Sequence, residues 1–212
     1  MNNLCRIDHP LDPLLRVLLS LCSHLMLFFG ISFRKRGERV KHYQIRPAEF
    51  GDTDSIASVA MESWRHTYQS IYPEDIIHQF VTTAYSVENL TGSIARDHKR
   101  THPLFHVATD SNGEVIAFSQ VVPHPNRDTS FELVRIYAVP RAHGTGVGSA
   151  FLHHLLQTVP CLHELTAWVE RENTIGRRFY ERHAFQIIDE KEDDFLGYKT
   201  HLLRYAFHRH HD

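Results

Sequence analysis

The chain has 212 residues, and its 23 basic and 25 acidic side chains leave a net charge of −2. This length suits one domain with a short appendage and is ample for a single buried core. Because there is no basic excess, nucleic acid is not predicted as a partner.

Residues 1–41 differ in composition from the rest and are predicted to form an N-terminal extension. Residues 17–33 are almost continuously apolar, and a basic cluster at residues 34–41 follows. Two interpretations stay open: a membrane or membrane-surface segment at residues 14–36, or an extension outside the folded domain. The apolar run approaches the ~20 residues of a membrane helix only if Arg16 is included. If it spans, the following basic residues put the remainder in the cytoplasm.

The folded domain is predicted to occupy residues 42–212. Residues 42–46 alternate as a strand that Pro47 ends, and apolar residues at three- and four-residue spacing from Ile56 then predict an amphipathic helix. A second helix is predicted after Pro73, and a weaker third one at residues 87–99. Three aromatic side chains of this region either belong to the core or line a substrate pocket: Trp64, Tyr68 and Tyr72.

A β-meander is predicted next. Residues 104–109 and 114–122 read as strands that the turn sequence Asp-Ser-Asn-Gly joins. A polar loop at residues 123–129 leads to a third strand at residues 130–139, which Pro140 ends.

A glycine-rich turn follows that strand. Gly144, Gly146 and Gly148 alternate with other residues, and a helix is predicted to begin near Gly146. The free N–H groups of a helix start attract anions, most plausibly a phosphate or pyrophosphate. The spacing differs from dinucleotide and Walker motifs. The glycines alone are equally compatible with a tight turn and close helix packing.

The last third of the chain is predicted to form a strand at residues 165–169, a helix at 173–183 and a strand pair at 185–189 and 196–207. The fold class is therefore α+β, with a mixed, mostly antiparallel sheet. The three cysteines lack metal spacing and are interpreted as free thiols. The 18 histidines join no carboxylate or cysteine set, so no metal site is predicted.

Two sequence blocks resemble the GNAT superfamily of acyl-CoA-dependent N-acyltransferases. Residues 133–148 are similar to its motif A, with Leu133, Ile136, Tyr137 and Pro140 on the strand and Gly146 and Gly148 as the motif glycines. His143 departs from the usual Arg or Gln. Residues 173–185, NTIGRRFYERHAF, look like the family's N-x-x-A-x-x-F-Y-x-x-x-G-F. The resemblance covers roughly residues 42–207.

The resemblance implies acetyl-CoA as co-substrate, with its pyrophosphate on the turn at residues 143–149. Tyr180 is then the acid that protonates the departing thiolate, and Glu132 is the base, with Glu170 as a second candidate. An oxyanion donor is expected on a bulged strand near residues 137–139. The implied cofactor-binding residues are Tyr137, Ala138, Val139, His143, Gly144, Thr145, Gly146, Val147, Gly148, Ser149, Asn173 and Tyr180.

The function that follows is transfer of an acetyl group to a primary amine of a small molecule by direct attack in a ternary complex. No feature near Cys161 indicates an activated thiolate. The spacing of Trp64 and Tyr68 is similar to bacterial members that include polyamine acetyltransferases. A non-catalytic acyl-CoA sensor and a protein acetyltransferase remain alternatives. A cytoplasmic location is expected, and a second copy of the chain is a further candidate partner.

Overall fold

One seven-stranded sheet organises residues 43–209, the part of the chain that the computed structural model describes. In chain order, the strands are β1 (Tyr43–Pro47), β2 (Phe105–Asp110), β3 (Val115–His124), β4 (Arg127–Ala138), β5 (Glu164–Glu170), β6 (Gln186–Phe195) and β7 (Tyr198–His208). The helices are α1 (Thr53–Tyr68), α2 (Glu74–Ala84), α3 (Val87–Asp97), α4 (Val147–Thr158) and α5 (Thr174–Arg182), with 3-10 turns at Phe50–Asp52 and Pro140–Ala142.

The strand order is β1-β2-β3-β4-β5-β7-β6, and every neighbouring pair except β4–β5 is antiparallel. α4 provides the crossover that a parallel β4–β5 pair needs. This confirms the predicted α+β fold with a mixed, mostly antiparallel sheet.

Helices cover both faces of the sheet. On one face, α4 packs over Leu133 and Ile136, which line a small cavity beneath Phe151 and Leu155. On the other face, Trp64 of α1 is fully buried and donates its indole N–H to the Tyr137 hydroxyl at 3.0 Å. The sheet is therefore the middle layer of one core.

Short polar side chains set several helix starts. The Ser86 hydroxyl accepts the N–H of Asn89 at the start of α3, and the Asn173 amide oxygen accepts that of Gly176 at the start of α5. Each bond satisfies a backbone donor that has no partner within the helix.

The strands of the second half extend further than the sequence predicted. β6 continues to Phe195 instead of ending at Asp189, and β3 and β4 extend into the predicted polar loop at residues 123–129. β6 lies at the edge of the sheet, where charged side chains face water and are tolerated.

The predicted extension at residues 1–41, the membrane interpretation of residues 14–36 and His42 all lie outside the described residues. Of the helices within residues 43–209, none has the length and apolarity that crossing a membrane requires.

Candidate functional site

The sheet opens into a wedge between β4 and β5. The two strands pair only from Ser130–Glu164 to Glu132–Thr166, after which β5 continues against β7 and β4 against β3. Beyond Glu132, the edge of β4 that faces β5 therefore has no strand beside it among residues 43–209.

The backbone of β4 directs alternate N–H groups into this wedge. The Val139 N–H bonds to the Ile116 carbonyl at 2.9 Å, so Val139 and, two residues earlier, Tyr137 bond towards β3. Ile136 and Ala138 therefore present their N–H groups to the wedge. Within the predicted donor range at residues 137–139, only Ala138 is oriented this way, and Ile136 was missed.

A register shift in β4 lies before these residues. Gln120 pairs with Arg135 and Val121 with Leu133, which leaves Val134 as the extra residue of a β-bulge. The sequence predicts a donor near residues 137–139 on a bulged strand without naming the bulged residue, and the strand pairing identifies that residue as Val134.

The glycine turn has the backbone geometry of an anion-binding loop. Gly144 and Gly146 have φ angles of 79° and 89°, which residues with a Cβ rarely adopt. Gly146 precedes α4, whose first N–H groups, on Val147, Gly148 and Ser149, have no partner one turn earlier in the helix. These donors converge at the helix end that carries partial positive charge.

Gly148 serves a different purpose, because a Cβ there would lie 3.0 Å from the Phe179 ring. This glycine lets α4 approach α5 closely. A second link joins the helices, since the His183 ring nitrogen lies 2.9 Å from the Ser149 hydroxyl. The Ser149 side chain is thus tied to α5, while its backbone N–H belongs to the loop.

His143 and Thr145 order the same loop. The Nε2 of His143 lies 3.1 Å from the Ala138 carbonyl, and the Thr145 hydroxyl donates to the Ala142 carbonyl at 2.8 Å. Burial lowers the pKa of His143 to about 3, against the raising effect of its bond to Ala138. The imidazole is therefore neutral at physiological pH and contributes no fixed charge to the loop.

Tyr180 lies on α5 and stacks on Tyr205 of β7, with ring centroids 5.3 Å apart. Burial raises the pKa of its phenol well above the ordinary value, and Glu132 and Tyr205 raise it further. Tyr180 is therefore a neutral O–H donor. Its electrostatic interaction with Glu132 indicates that it lies towards the end of the wedge where β4 and β5 still pair.

The two acidic candidates have different surroundings. Burial raises the pKa of Glu132, while Arg204 and Lys191 lower it. Glu170 also has a raised pKa through burial, but its carboxylate accepts the backbone N–H groups of Glu172 and Asn173. Glu170 closes the turn after β5, whereas the Glu132 carboxylate accepts no backbone N–H from the described residues.

The aromatic candidates are buried and joined by hydrogen bonds. The Trp64 indole and the Tyr85 hydroxyl both donate to the Tyr137 hydroxyl. The Asn173 amide, besides capping α5, donates to the Tyr68 hydroxyl at 3.2 Å. Tyr72 donates to the Thr200 hydroxyl at 3.0 Å and, like Trp64 and Tyr68, belongs to the hydrophobic core. These contacts connect α1 to both sides of the wedge.

Three residues near the wedge escaped the sequence analysis: Tyr85, Trp168 and Arg204. Tyr85 reaches Tyr137 from the α2–α3 connection, a contact that no local pattern encodes. Trp168 and Arg204 lie opposite each other on β5 and β7, and this proximity can be recognised only from the strand pairing.

The expectation of free thiols is wrong for Cys161, which is disulfide-bonded.

Comparison with known proteins identifies the family. The profile of the acetyltransferase (GNAT) family matches residues 56–185, which include the wedge, the glycine loop and α5. The chain belongs to this family, and it is an acyl-CoA-dependent N-acyltransferase.

Individual relatives agree with this assignment. The spermidine N(1)-acetyltransferase of Thermoplasma acidophilum is 28% identical over 161 residues, which cover 74% of this chain and 97% of the relative. An uncharacterised N-acetyltransferase of Mycobacterium bovis is 25% identical over 138 residues, covering 64% of this chain and 84% of the relative. The similarity to polyamine-type members predicted from the sequence is thereby confirmed.

Solved structures share the fold. The crystal structure of the PaiA N-acetyltransferase from Thermoplasma acidophilum in complex with coenzyme A superposes with a TM-score of 0.67 at 25% identity, over 78% of this chain and 99% of that one. A Salmonella typhimurium structure with acetyl-CoA has a TM-score of 0.62 at 18% identity, over 80% of this chain and 96% of that one, and shows the fold alone.

Proposed function

We propose that this protein transfers an acetyl group from acetyl-CoA to a primary amine of a small molecule. One combination of features carries the proposal. The C-terminal part of β4 has an open edge, and the glycine loop with its anion-binding geometry follows directly after that part of the strand. The names of the Thermoplasma acidophilum relatives, one with spermidine and one with coenzyme A, support both halves of the reaction.

The residues present fit the co-substrate. The N–H groups of residues 147–149 supply donors for a pyrophosphate. Gly146 gives the loop a positive φ angle that residues with a side chain rarely adopt. The wedge-facing N–H group of Ala138 can pair with an amide group of the pantetheine arm as a neighbouring strand would. Acetyl-CoA supplies the activated acyl group, and the protein supplies its position.

The reaction has three demands, and the wedge offers a group for each. The oxyanion of the tetrahedral state needs hydrogen-bond donors. The wedge-facing N–H of Ile136, two residues after the bulge at Val134, can be one of them. The departing thiolate needs a proton, which the neutral Tyr180 phenol can donate. The attacking amine must lose a proton, and Glu132 can accept it directly or through water.

Glu132 is preferred to Glu170 as the base. The Glu170 carboxylate is occupied by backbone N–H groups, and proton uptake would break those bonds. Glu132 has a pKa raised by burial, which brings a carboxylate closer to the basicity that proton abstraction needs.

Direct attack in a ternary complex is the proposed route. The two faces of the wedge allow acyl donor and acceptor to approach from opposite sides of the sheet, so no covalent enzyme intermediate is needed. The reaction is proposed to take place in the cytoplasm.

The buried aromatic residues are proposed to shape the acceptor side of the site. Trp64, Tyr68 and Tyr72 form the core of that side, and the Trp64–Tyr137 bond fixes α1 against the strand that carries the oxyanion donor. These buried side chains would then support the wall of the acceptor pocket from behind, without being exposed to the acceptor themselves.

A thiol-release assay tests the proposal. The full-length protein is incubated with acetyl-CoA and a panel of amines, and free CoA is titrated with a thiol reagent. Turnover on at least one small primary amine is expected. Acetyl-CoA binding without turnover on any small amine would instead support the sensor or the protein-modifying alternative.

A further inference from the structure

An arginine lies on the face of the sheet from which the acceptor would approach. Arg204 of β7 is directly opposite Trp168 of β5. Tyr205 stacks under α5, so Arg204 points to the other face. Glu132 points to that same face, because its neighbour Leu133 lines the cavity under α4. The arginine and the proposed base therefore open to the same side of the wedge.

The guanidinium of Arg204 packs on an aromatic ring and keeps one buried N–H without a hydrogen-bond partner among the described residues. Its central carbon lies 5.6 Å from the centroid of the Trp168 ring, and its Nε is buried without a hydrogen-bond partner. Among residues 43–209, no carboxylate forms an ion pair with it. Asp189 is directly across on β6, but its carboxylate accepts the N–H of Glu190 instead. A buried donor without a partner is costly, and an anionic ligand would remove that cost.

Two other cations near this face, Lys191 and Arg127, each have a carboxylate partner. Lys191 also lies over the Trp168 ring, at 5.0 Å, but its ammonium bonds to Asp193 at 2.7 Å. Arg127 forms an ion pair with Glu164 at 3.1 Å. Of Lys191, Arg127 and Arg204, only Arg204 has no ion-paired carboxylate among the described residues, and it is therefore the one available to an anionic ligand.

The charge of Arg204 acts on the reacting region. It lowers the pKa of Glu132, in opposition to burial. It also contributes to the lowered pKa of His124, after the effects of burial and Arg127. The Nδ1 of His124 is another buried nitrogen without a hydrogen-bond partner among the described residues. A ligand that contacts this region therefore meets unsatisfied nitrogen atoms beside a carboxylate.

We propose that Arg204 binds a carboxylate of the acceptor, so that the acceptor is an amino acid or a similar amine that carries an anionic group. Its amine would lie at Glu132 and its carboxylate at the guanidinium, whose planar geometry suits a bidentate carboxylate. A polyamine has no group that could neutralise Arg204. This inference rests on the proposed function and narrows its substrate class.

Matched pairs of an amino acid and its decarboxylated amine test the inference. Lysine with cadaverine, ornithine with putrescine and phenylalanine with phenethylamine differ only by the carboxylate. On the full-length protein with acetyl-CoA, kcat/KM is measured for each member by thiol release. The carboxylated member of the best pair is expected to be preferred by on the order of 10- to 100-fold.

Substitution of the arginine separates recognition from structure. Arg204→Gln should remove that preference by lowering kcat/KM for the amino acid much more than for its decarboxylated amine, because the altered pKa of Glu132 affects both members of a pair alike. Arg127→Gln, which removes an ion-paired arginine of the same region, should leave the preference unchanged.

Several outcomes would overturn the inference. A preference for the decarboxylated amines, or an equal loss for both members in Arg204→Gln, contradicts a carboxylate-binding role. Bound acetyl-CoA without turnover of any pair also contradicts it. If the protein neither binds acetyl-CoA nor turns over any amine, the proposed function itself is refuted. That result is distinguishable from failure of the inference about Arg204.

Discussion

At the scale of single residues, burial determines the protonation state of the groups around the wedge. The Tyr180 phenol is 1% exposed and Glu132 lies near it, so ionisation of the phenol is disfavoured from two directions. Because the phenol stays protonated, its O–H can donate a hydrogen bond and then its proton to the departing thiolate.

Replacement of this phenol tests its role. Tyr180→Phe should lower kcat by on the order of 10²- to 10⁴-fold, the usual contribution of a general acid, with little change in the KM for acetyl-CoA. Steady-state kinetics measures both constants. Tyr198→Phe, at a tyrosine that is 39% exposed, provides the control. A raised KM at unchanged kcat would assign Tyr180 to binding or packing instead.

His106 links stability to pH. It is 5% exposed on β2, and its Nε2 lies 3.2 Å from that of His154. Burial and His154 lower its pKa to about 4. Between this value and the ordinary value of about 6.5, the unfolded chain binds a proton that the folded chain does not. Stability contributed by His106 is therefore complete above that interval and lost as the pH falls through it.

The His106→Gln variant should lose less stability on acidification than the unsubstituted protein. The difference accumulates to about 3 kcal/mol between pH 7 and pH 4, from the size of the shift. Urea unfolding at several pH values measures it, with His208→Gln at the exposed end of β7 as the control. Equal acid sensitivity of His106→Gln and the unsubstituted protein would contradict the linkage.

At the scale of elements, the close approach of α4 to α5 depends on one glycine. Gly148→Ala would put a Cβ 3.0 Å from the Phe179 ring, and the ring is itself buried. We expect destabilisation by about 1–3 kcal/mol, as for other overpacked positions. Gly92→Ala within α3 should instead stabilise by up to about 1 kcal/mol, since its nearest new neighbour is the flexible end of Arg96.

Denaturant unfolding of the two glycine variants checks this contrast. The sign should differ between them, because both gain helix propensity and only Gly148→Ala meets a buried ring. Stabilisation by both substitutions would show that α4 and α5 are not in close contact at this glycine.

The elements themselves were largely predictable from sequence, but their extents were not. Apolar periodicity identified α1, and Pro140 with the following glycines identified the end of β4 and the start of α4. The residues of β6 beyond Asp189 are mostly charged and gave no alternating apolar pattern. Their strand conformation depends on pairing with β7, which is a tertiary contact.

The bulge illustrates the same limit. Val134 is a β-branched residue within an apolar strand, and local sequence does not distinguish it from its neighbours as the extra residue. Only the pairing of β3 with β4 reveals it. For that reason Ala138 lies within the predicted donor range, whereas the wedge-facing N–H of Ile136 was not predicted.

At the scale of the whole molecule, the candidate site is a property of strand order. The glycine loop follows β4, Tyr180 lies on α5 and Arg204 on β7, and the parallel pairing of β4 with β5 brings them to one opening. Sequence motifs predict roles for the loop and for Tyr180 because each motif is local. Arg204 and Trp168 lie 36 positions apart in the chain and become neighbours only through the β5–β7 ladder.

The most direct test of the central claim is acetyl-CoA-dependent stabilisation of the full-length protein. Gly146→Glu, which puts a carboxylate in the loop, is compared with Gly113→Glu, at a positive-φ glycine in the β2–β3 turn where nothing lies within 4 Å. At 100 times the dissociation constant, ligand should add about 2.7 kcal/mol to unsubstituted protein and to Gly113→Glu. Gly146→Glu should gain nothing. Equal stabilisation of all three proteins would show that acetyl-CoA binds elsewhere, and no stabilisation of any would refute its role as co-substrate.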